Sequence, residues 1–272
     1  MMTATAFSAR VLQQTVTVLL AVICTLFSPE LHAEDSDLAG IFERRGVQGT
    51  MVISSLDGME LYVHNPDRAV IRYPVASTFK LLNTLIALQE GAVNGKDEVI
   101  RWDGKIRDFP DWNRDQTLES AFRTSCVWYY QELARRVGSE RYRRYLELCR
   151  YGRLAGKMET TSFWLDGSLV ISAQEQVVFL GSLCRRTLPF SSTAYVTLRD
   201  LMVAGKGPGY VLRAKSGWAT ALTPQVGWYV GYVERGGSVW LFAMNMDVRE
   251  REQLPLRREI TLEALRAKGI ID

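Results

Sequence analysis

The chain has 272 residues, 47% hydrophobic and 23% charged, with a net charge of +3. This is an ordinary globular composition, with enough chain for one large domain or two lobes around a cleft. Acids and bases are well mixed, so there is neither a basic block suited to nucleic acid nor an acidic solvating tail.

The N-terminus reads as an export signal. Arg10 precedes an apolar run over residues 16–27, which is too short for a membrane span and is broken by Pro29. Ala33 offers a small residue for cleavage, leaving residues 34–272 as a periplasmic chain with no stable membrane span. Cys24 follows Ile23, where a lipid-attachment cysteine would need a small neighbour. Cleavage would remove Cys24 and His32 and leave Cys126, Cys149, Cys184 and a single histidine, His64. An odd number of cysteines in an oxidising compartment leaves at least one unpaired. A Cys149–Cys184 bridge stays open, but all three read as small buried hydrophobes. A catalytic Ser-His-Asp set would have to use His64, which lies in a strand-like stretch, and no zinc-ligand spacing is present. A hydrolytic base here would be an amine, a carboxylate or a group made from them.

The pattern predicts a short helix over 38–45, then strands over 49–55 and 60–64 joined by a turn at Asp57-Gly58. Ser77 opens the next helix, which ends near Gly91. From 97 to about 191 the pattern is mostly helical with long loops: a loop at 108–115 and helices over 118–122, 127–137 (stopped by Gly138), 140–149 (capped by Ser139) and 173–184. One more helix covers 192–203. Strands follow over 211–216, 225–234 and 238–246, the last two joined at Gly236-Gly237, and a final helix runs from Pro255 to about Lys268. This order predicts an α+β fold: a central antiparallel sheet built from 34–76 and 205–272, flanked by terminal helices, with a mostly helical lobe over 77–204 inserted between. A cleft between two such lobes is a natural ligand site, and Ser77 lies at the junction.

Three short motifs carry the chemistry. Ser77-x-x-Lys80 holds a hydroxyl and an amine three residues apart on one helix face, as an activated nucleophile requires. Ser125-Cys126-Val127 precedes a helix, and Lys215-Ser216-Gly217 ends a strand. Taken singly they are a capping serine beside a solvated lysine, another cap, and a strand-end charge. Occurring together, in this order, they form the pattern of the penicillin-recognising active-site serine enzymes.

Within that superfamily the chain resembles the class D β-lactamases, the oxacillinases, from about Gly46 to Ile271. The resemblance rests on Ser77-Thr78-Phe79-Lys80, Trp112-Asn113-Arg114-Asp115, Ser125-Cys126-Val127-Trp128, Tyr151-Gly152, Phe163-Trp164-Leu165-Asp166-Gly167 and Ile171 to Gln176. It continues through Lys215-Ser216-Gly217-Trp218, Gly227-Trp228-Tyr229-Val230-Gly231 and Leu254-Pro255-Leu256-Arg257. One departure is Arg153, where the family usually has Asn; Tyr151 and Gly152 before it read as a core aromatic and a helix stop.

The resemblance implies a small-molecule β-lactam substrate and no cofactor other than carbon dioxide, carried as N-carboxylation of Lys80. Ser77 would be the nucleophile. Lys80, flanked by Phe79, Val127, Trp164 and Leu165, would lose its charge by burial and take up carbon dioxide to become the general base. Trp164 would hydrogen-bond that group, though alone it reads as a core tryptophan. Ser125 would relay a proton to the leaving nitrogen in the field of Lys215. The N–H groups of Ser77 and Trp218 would form the oxyanion hole, Val127 and Gly217 would line the site, and Arg257 with Ser216 would bind the substrate carboxylate. By itself Arg257 reads as a solvated helix charge. The same motifs occur in drug-sensing receptor domains that are acylated once and in cell-wall transpeptidases. The sequence leaves monomer and homodimer both open.

Overall fold

The computed structural model describes residues 33–272, so the export signal expected up to Ala33 falls, apart from that residue, outside the described residues. A six-stranded sheet carries the architecture, with strand order β2-β1-β11-β10-β9-β8 and every neighbouring pair antiparallel. Its strands are β1 (Gly49–Ser55), β2 (Leu61–His64), β8 (Val203–Gly207), β9 (Tyr210–Ala219), β10 (Gln225–Arg235) and β11 (Ser238–Val248). Between β2 and β8 lie the minor strands β3 (Tyr73–Pro74), β4 (Val99–Ile100), β5 (Gln116–Thr117), β6 (Arg153–Leu154) and β7 (Leu169–Ile171). Because β1 pairs with β11 from Gly49↔Met246 to Ser55↔Trp240, the two ends of the chain build one sheet. Residues 34–272 form one compact unit.

Period-two alternation gives the sheet two buried faces. Met51, Ile53, Phe242, Met244 and Met246 point to one face, beneath α1 (Ser36–Arg44) and the C-terminal helix Leu256–Ala267, which supply Leu38, Ile41, Ile260 and Leu265. Val52, Leu241 and Ala243 point to the other, where the helical segment packs. The strands therefore read as nearly continuous apolar runs, and each fully buried Leu, Ile, Val, Met or Phe contributes about 1.5–3 kcal/mol.

Helices Val127–Val137 and Ala173–Cys184 fall on the bounds the pattern predicts. Ser172 caps the second through a full capping box with Glu175. Gly236 and Gly237 both have positive φ, as the two-residue turn between β10 and β11 demands.

Other expectations need correction. Ser77 does not cap a helix. It lies inside a 3-10 turn, Ala76–Phe79, that runs into the helix Lys80–Gln89. Ser139 is the first residue of its helix, Ser139–Leu148, and Gly138 holds the cap position. Ser125 leaves the cap of its helix to Cys126 and adopts a left-handed backbone. The helix at 192 stops at Leu201, because Val203–Gly207 forms the edge strand β8. Gly152 is not a helix stop: a Cβ there would lie 2.3 Å from the Val170 carbonyl oxygen, so glycine permits β6 to approach β7. Cys126, Cys149 and Cys184 are all free thiols; the first two are buried and Cys184 is half-buried. The His64 ring is tilted against Phe42 at 4.3 Å between centroids, with Nδ1 2.5 Å from Glu34 Oε1. Among the described residues no helix is long and apolar enough to cross a membrane.

Gly231 is the sharpest packing constraint in the sheet. A Cβ at this position in β10 would stand 2.0 Å from the Arg213 carbonyl oxygen on β9. Gly231→Ala is expected to cost about 3 kcal/mol or more, as overpacking against backbone does. The check is a urea midpoint that falls with an unchanged slope.

Candidate active site

The 3-10 turn holding Ser77 is fixed from three sides. Phe79 sits in an aromatic cage, its ring centroid 5.1 Å from Phe163 and 5.9 Å from each of Trp164, Tyr142 and Tyr151. Such pairs add about 0.5–1.5 kcal/mol each beyond area burial. Thr78 Oγ1 donates to Val75 O at 2.6 Å and accepts from Gln176 Nε2 at 2.9 Å. Trp228 Nε1, from β10, donates to Pro74 O at 3.0 Å. Ala76 and Ser125 both adopt left-handed backbone, at φ +46° and +59°. For a residue with a Cβ this costs about 1–2 kcal/mol and persists only where surrounding packing enforces it.

In a 3-10 turn residues i and i+3 eclipse, so Ser77 and Lys80 meet more closely than an α-helix would bring them. Lys80 Nζ donates to Ser77 Oγ at 2.8 Å. Lys80 is 0% exposed, with Nζ 5.0 Å from the Tyr130 ring centroid. Burial pushes its ammonium down to about 7, and the Cys126 thiol nearby offsets this slightly. Desolvation is the physical cause, since no carboxylate among the described residues pairs with this lysine.

The second pair sits on β9. Lys215 Nζ donates to Ser125 Oγ and to Ser216 O, each at 3.0 Å, and lies 5.7 Å from the Phe122 ring centroid. Burial, then the Lys80 charge, then the Arg257 charge hold the Lys215 ammonium well below its ordinary range. The two lysines thus sense each other, and one constellation contains both pairs. A Cβ on Gly217 would come within 3.1 Å of Thr78 Cγ2 and 3.3 Å of Thr78 N, so glycine lets β9 close against the Ser77 turn. Strand β8 pairs with β9 only as far as Arg213, so from Lys215 onward the outer edge of β9 has no ladder partner among the described residues.

Arg257 is not a solvated helix charge. Its Nε donates to Leu254 O at 2.6 Å and its Nη1 donates to Gly217 O at 2.5 Å. A Cβ on Gly227 would strike Arg257 Cδ at 2.7 Å, so glycine there makes room for the side chain. Burial pushes this guanidinium down to about 10.

Comparison with known proteins decides the family. The penicillin-binding protein transpeptidase domain matches residues 61–266. β-Lactamase OXA-48 of Klebsiella pneumoniae is 39% identical over 230 residues, 85% of this chain and 87% of that protein. β-Lactamase OXA-15 of Pseudomonas aeruginosa is 37% identical over 256 residues, 91% of this chain and 92% of that protein. The crystal structure of the class D β-lactamase YbXI from Nostoc superposes with a TM-score of 0.84 at 39% identity, over 86% of this chain and 99% of that one. The chain belongs to the class D β-lactamases. It has the fold of the class D serine enzymes, as the strand and motif order predicts.

The class D motifs converge as follows. Ser77 with Lys80, Ser125 with Lys215, and Gly217 with Arg257 are in direct contact. Val127 opens the helix that also carries Tyr130, the ring over Lys80. Trp218 follows Gly217 on β9 and donates through Nε1 to Gln225 Oε1 at 2.7 Å. Ser216 stands opposite Tyr229 in the β9–β10 register. Trp164 is fully buried against Phe79, and its Nε1 has no hydrogen-bond partner among the described residues. An orphaned buried donor costs about 1–3 kcal/mol. A donor waiting for an acceptor, next to the cage that holds the Ser77 turn, fits a carboxyl group on the lysine.

Sequence reasoning missed Tyr130 and Phe122, and it matched Gln176 within a motif without giving it a role. Tyr130 had a usable signal, since it lies three residues after Val127 on one helix and so shares its face. The brace from Gln176 to Thr78 had none, because the two are 98 positions apart.

Proposed function

We propose that the protein hydrolyses β-lactam antibiotics of the penicillin and oxacillin type through an acyl-enzyme on Ser77. The observation that carries this reading is the 2.8 Å contact between Ser77 Oγ and a fully buried lysine amine whose charge burial disfavours. Near neutral pH the uncharged amine is well populated, so the Ser77 proton has somewhere to go as Oγ attacks the lactam carbonyl. The N–H groups of Ser77 and Trp218 act as the oxyanion hole, a contribution of about 3–4 kcal/mol for each donor. As the C–N bond breaks, Ser125 passes a proton to the leaving nitrogen, its own Oγ held by Lys215. Arg257, anchored through Nε and Nη1, presents Nη2 to the substrate carboxylate, with Ser216 assisting. Val127 walls the site, and Gly217 lets β9 approach Thr78.

Carboxylation of Lys80 by carbon dioxide would supply an anionic base for the deacylating water, and Trp164, through Nε1, and Ser77, through Oγ, would hold it. Export to the periplasm, where these drugs act, is the reading that the apolar run ending before Pro29 supports, and resistance is its biological consequence. Residues 34–272 form the catalytic domain in this account.

Hydrolysis of a chromogenic cephalosporin with and without added bicarbonate is the test. Many equivalents should turn over, and faster with bicarbonate. One stoichiometric burst would identify a drug receptor or transpeptidase instead.

A further inference from the structure

The chain reverses direction after the helix Ser139–Leu148 in a way that gathers arginines. Arg143 and Glu147 lie one turn apart on its exposed side. Arg150, two residues past the helix, is left-handed at φ +47°. Tyr151 turns inward and is buried, its ring edge-to-face with Phe179 at 4.7 Å and tilted against Phe79 at 5.9 Å. Gly152 then presses against the Val170 carbonyl, and Arg153 starts β6 opposite Val170. The result is a concavity of about 320 Å³, with Arg143, Arg150 and Arg153 around it and Leu146 and Tyr151 among its lining.

These three guanidinium groups make no ion pair or hydrogen bond among the described residues. Neighbouring arginines of the same helical segment do: Arg135 and Arg136 pair with Glu132, and Arg141 pairs with Glu90. Two features oppose an anion here, the carboxylate of Glu147 and the negative end of the helix, worth roughly half a charge. Three guanidinium groups outweigh them and leave the concavity at about +1.5. That balance suits a doubly charged tetrahedral oxyanion, whose oxygens the planar forks can grip bidentately.

We propose that this concavity binds a phosphate dianion, either as free inorganic phosphate or as the monoester headgroup of an acidic lipid. The site is separate from the Ser77 constellation, with the Tyr151 and Phe79 rings between them, and the inference does not depend on the proposed hydrolysis. Arg153, the one departure from the family pattern noted above, supplies one of the three forks.

Titrating the folded protein with inorganic phosphate by calorimetry tests one source. Flotation with phosphatidylcholine vesicles, with and without phosphatidic acid, tests the other. Phosphate binding that is saturable and weakened about tenfold or more in Arg150→Gln/Arg153→Gln, but unchanged in Arg135→Gln, supports the site. Retention on vesicles only when phosphatidic acid is present, lost in the same double variant, would assign the lipid source; phosphate binding alone would assign the free anion. Neither binding, or binding that Arg135→Gln weakens as much as the double variant, overturns the proposal. An unchanged urea midpoint and slope for the double variant serve as the folding control.

Discussion

Lys80→Ala is expected to yield a folded protein that forms an acyl-enzyme slowly and then fails to release it. The substitution removes a buried amine that touches Ser77 Oγ at 2.8 Å and leaves the aromatic cage around Phe79 intact. Loss of a positioned general base typically costs about 10²–10⁴-fold, and here the loss falls on the water attack, which has no other base at hand. Ser125 and Lys215 are committed to each other at 3.0 Å, and the side chains around Lys80 offer no carboxylate. Intact-mass spectrometry after mixing with a penicillin should therefore show the drug-bound mass persisting in the variant and vanishing within the mixing time in the parent. Multiple turnovers by Lys80→Ala would remove this lysine from the mechanism.

A second large effect concerns stability, and its sign is opposite. The Lys80 amine falls from an ordinary value of 10.5 to about 7 on folding. Below about pH 7 both the folded and the unfolded chain hold the proton, and the folded state bears the whole cost of a buried charge. Between about pH 7 and 10.5 the unfolded chain holds more protons than the folded one, so stability rises with pH across that window. The cost near neutrality is of the order of 4 kcal/mol, and protein relaxation lowers what a mutation recovers. Lys80→Met, which keeps the volume and removes the charge, is expected to be about 2–4 kcal/mol more stable at pH 7 in buffer freed of carbon dioxide. The gap should close as the pH approaches 10.5. Urea unfolding at several pH values reads this out. A methionine variant no more stable than the parent at neutral pH would mean that the lysine is not an energetic burden. Together the two variants express one trade: the group that strains the fold is the group that does the chemistry.

Much of this architecture was legible where the signal is local. The helix Val127–Val137 ends at Gly138, and Ala173–Cys184 begins behind Ser172 and Glu175. The hairpin of β10 and β11 announces itself through Gly236-Gly237, and the order of elements predicts an antiparallel sheet built from both ends of the chain. The minor sheet of β3, β7 and β6 was invisible, because strands of two or three residues carry no period. Strand β8, Val-Ala-Gly-Lys-Gly, has a single β-branched residue, Val203, and no alternation to mark a strand, and its place at the sheet edge tolerates that. Ser77 looked like a helix cap, since a 3-10 turn and the first turn of an α-helix carry the same residues.

The chemistry was legible in another way. No motif alone distinguishes a nucleophile from a cap, but three in order with family spacing do. Beyond the motifs, the pocket around Lys80 depends on contacts between distant positions. The orphaned indole of Trp164, the ring of Tyr130 and the brace from Gln176 to Thr78 follow from packing, which a linear reading cannot rank.

The central claim is that burial leaves the uncharged amine of Lys80 well populated near neutral pH, and its titration tests this most directly. With lysine labelled by carbon-13 at Cε and buffer freed of carbon dioxide, the Lys80 resonance, assigned by its absence from Lys80→Met, should titrate with a midpoint near 7. Added labelled bicarbonate should then produce a carbamate signal that the methionine variant lacks. A midpoint at the ordinary lysine value of 10.5, with no carbamate formed, would contradict the account.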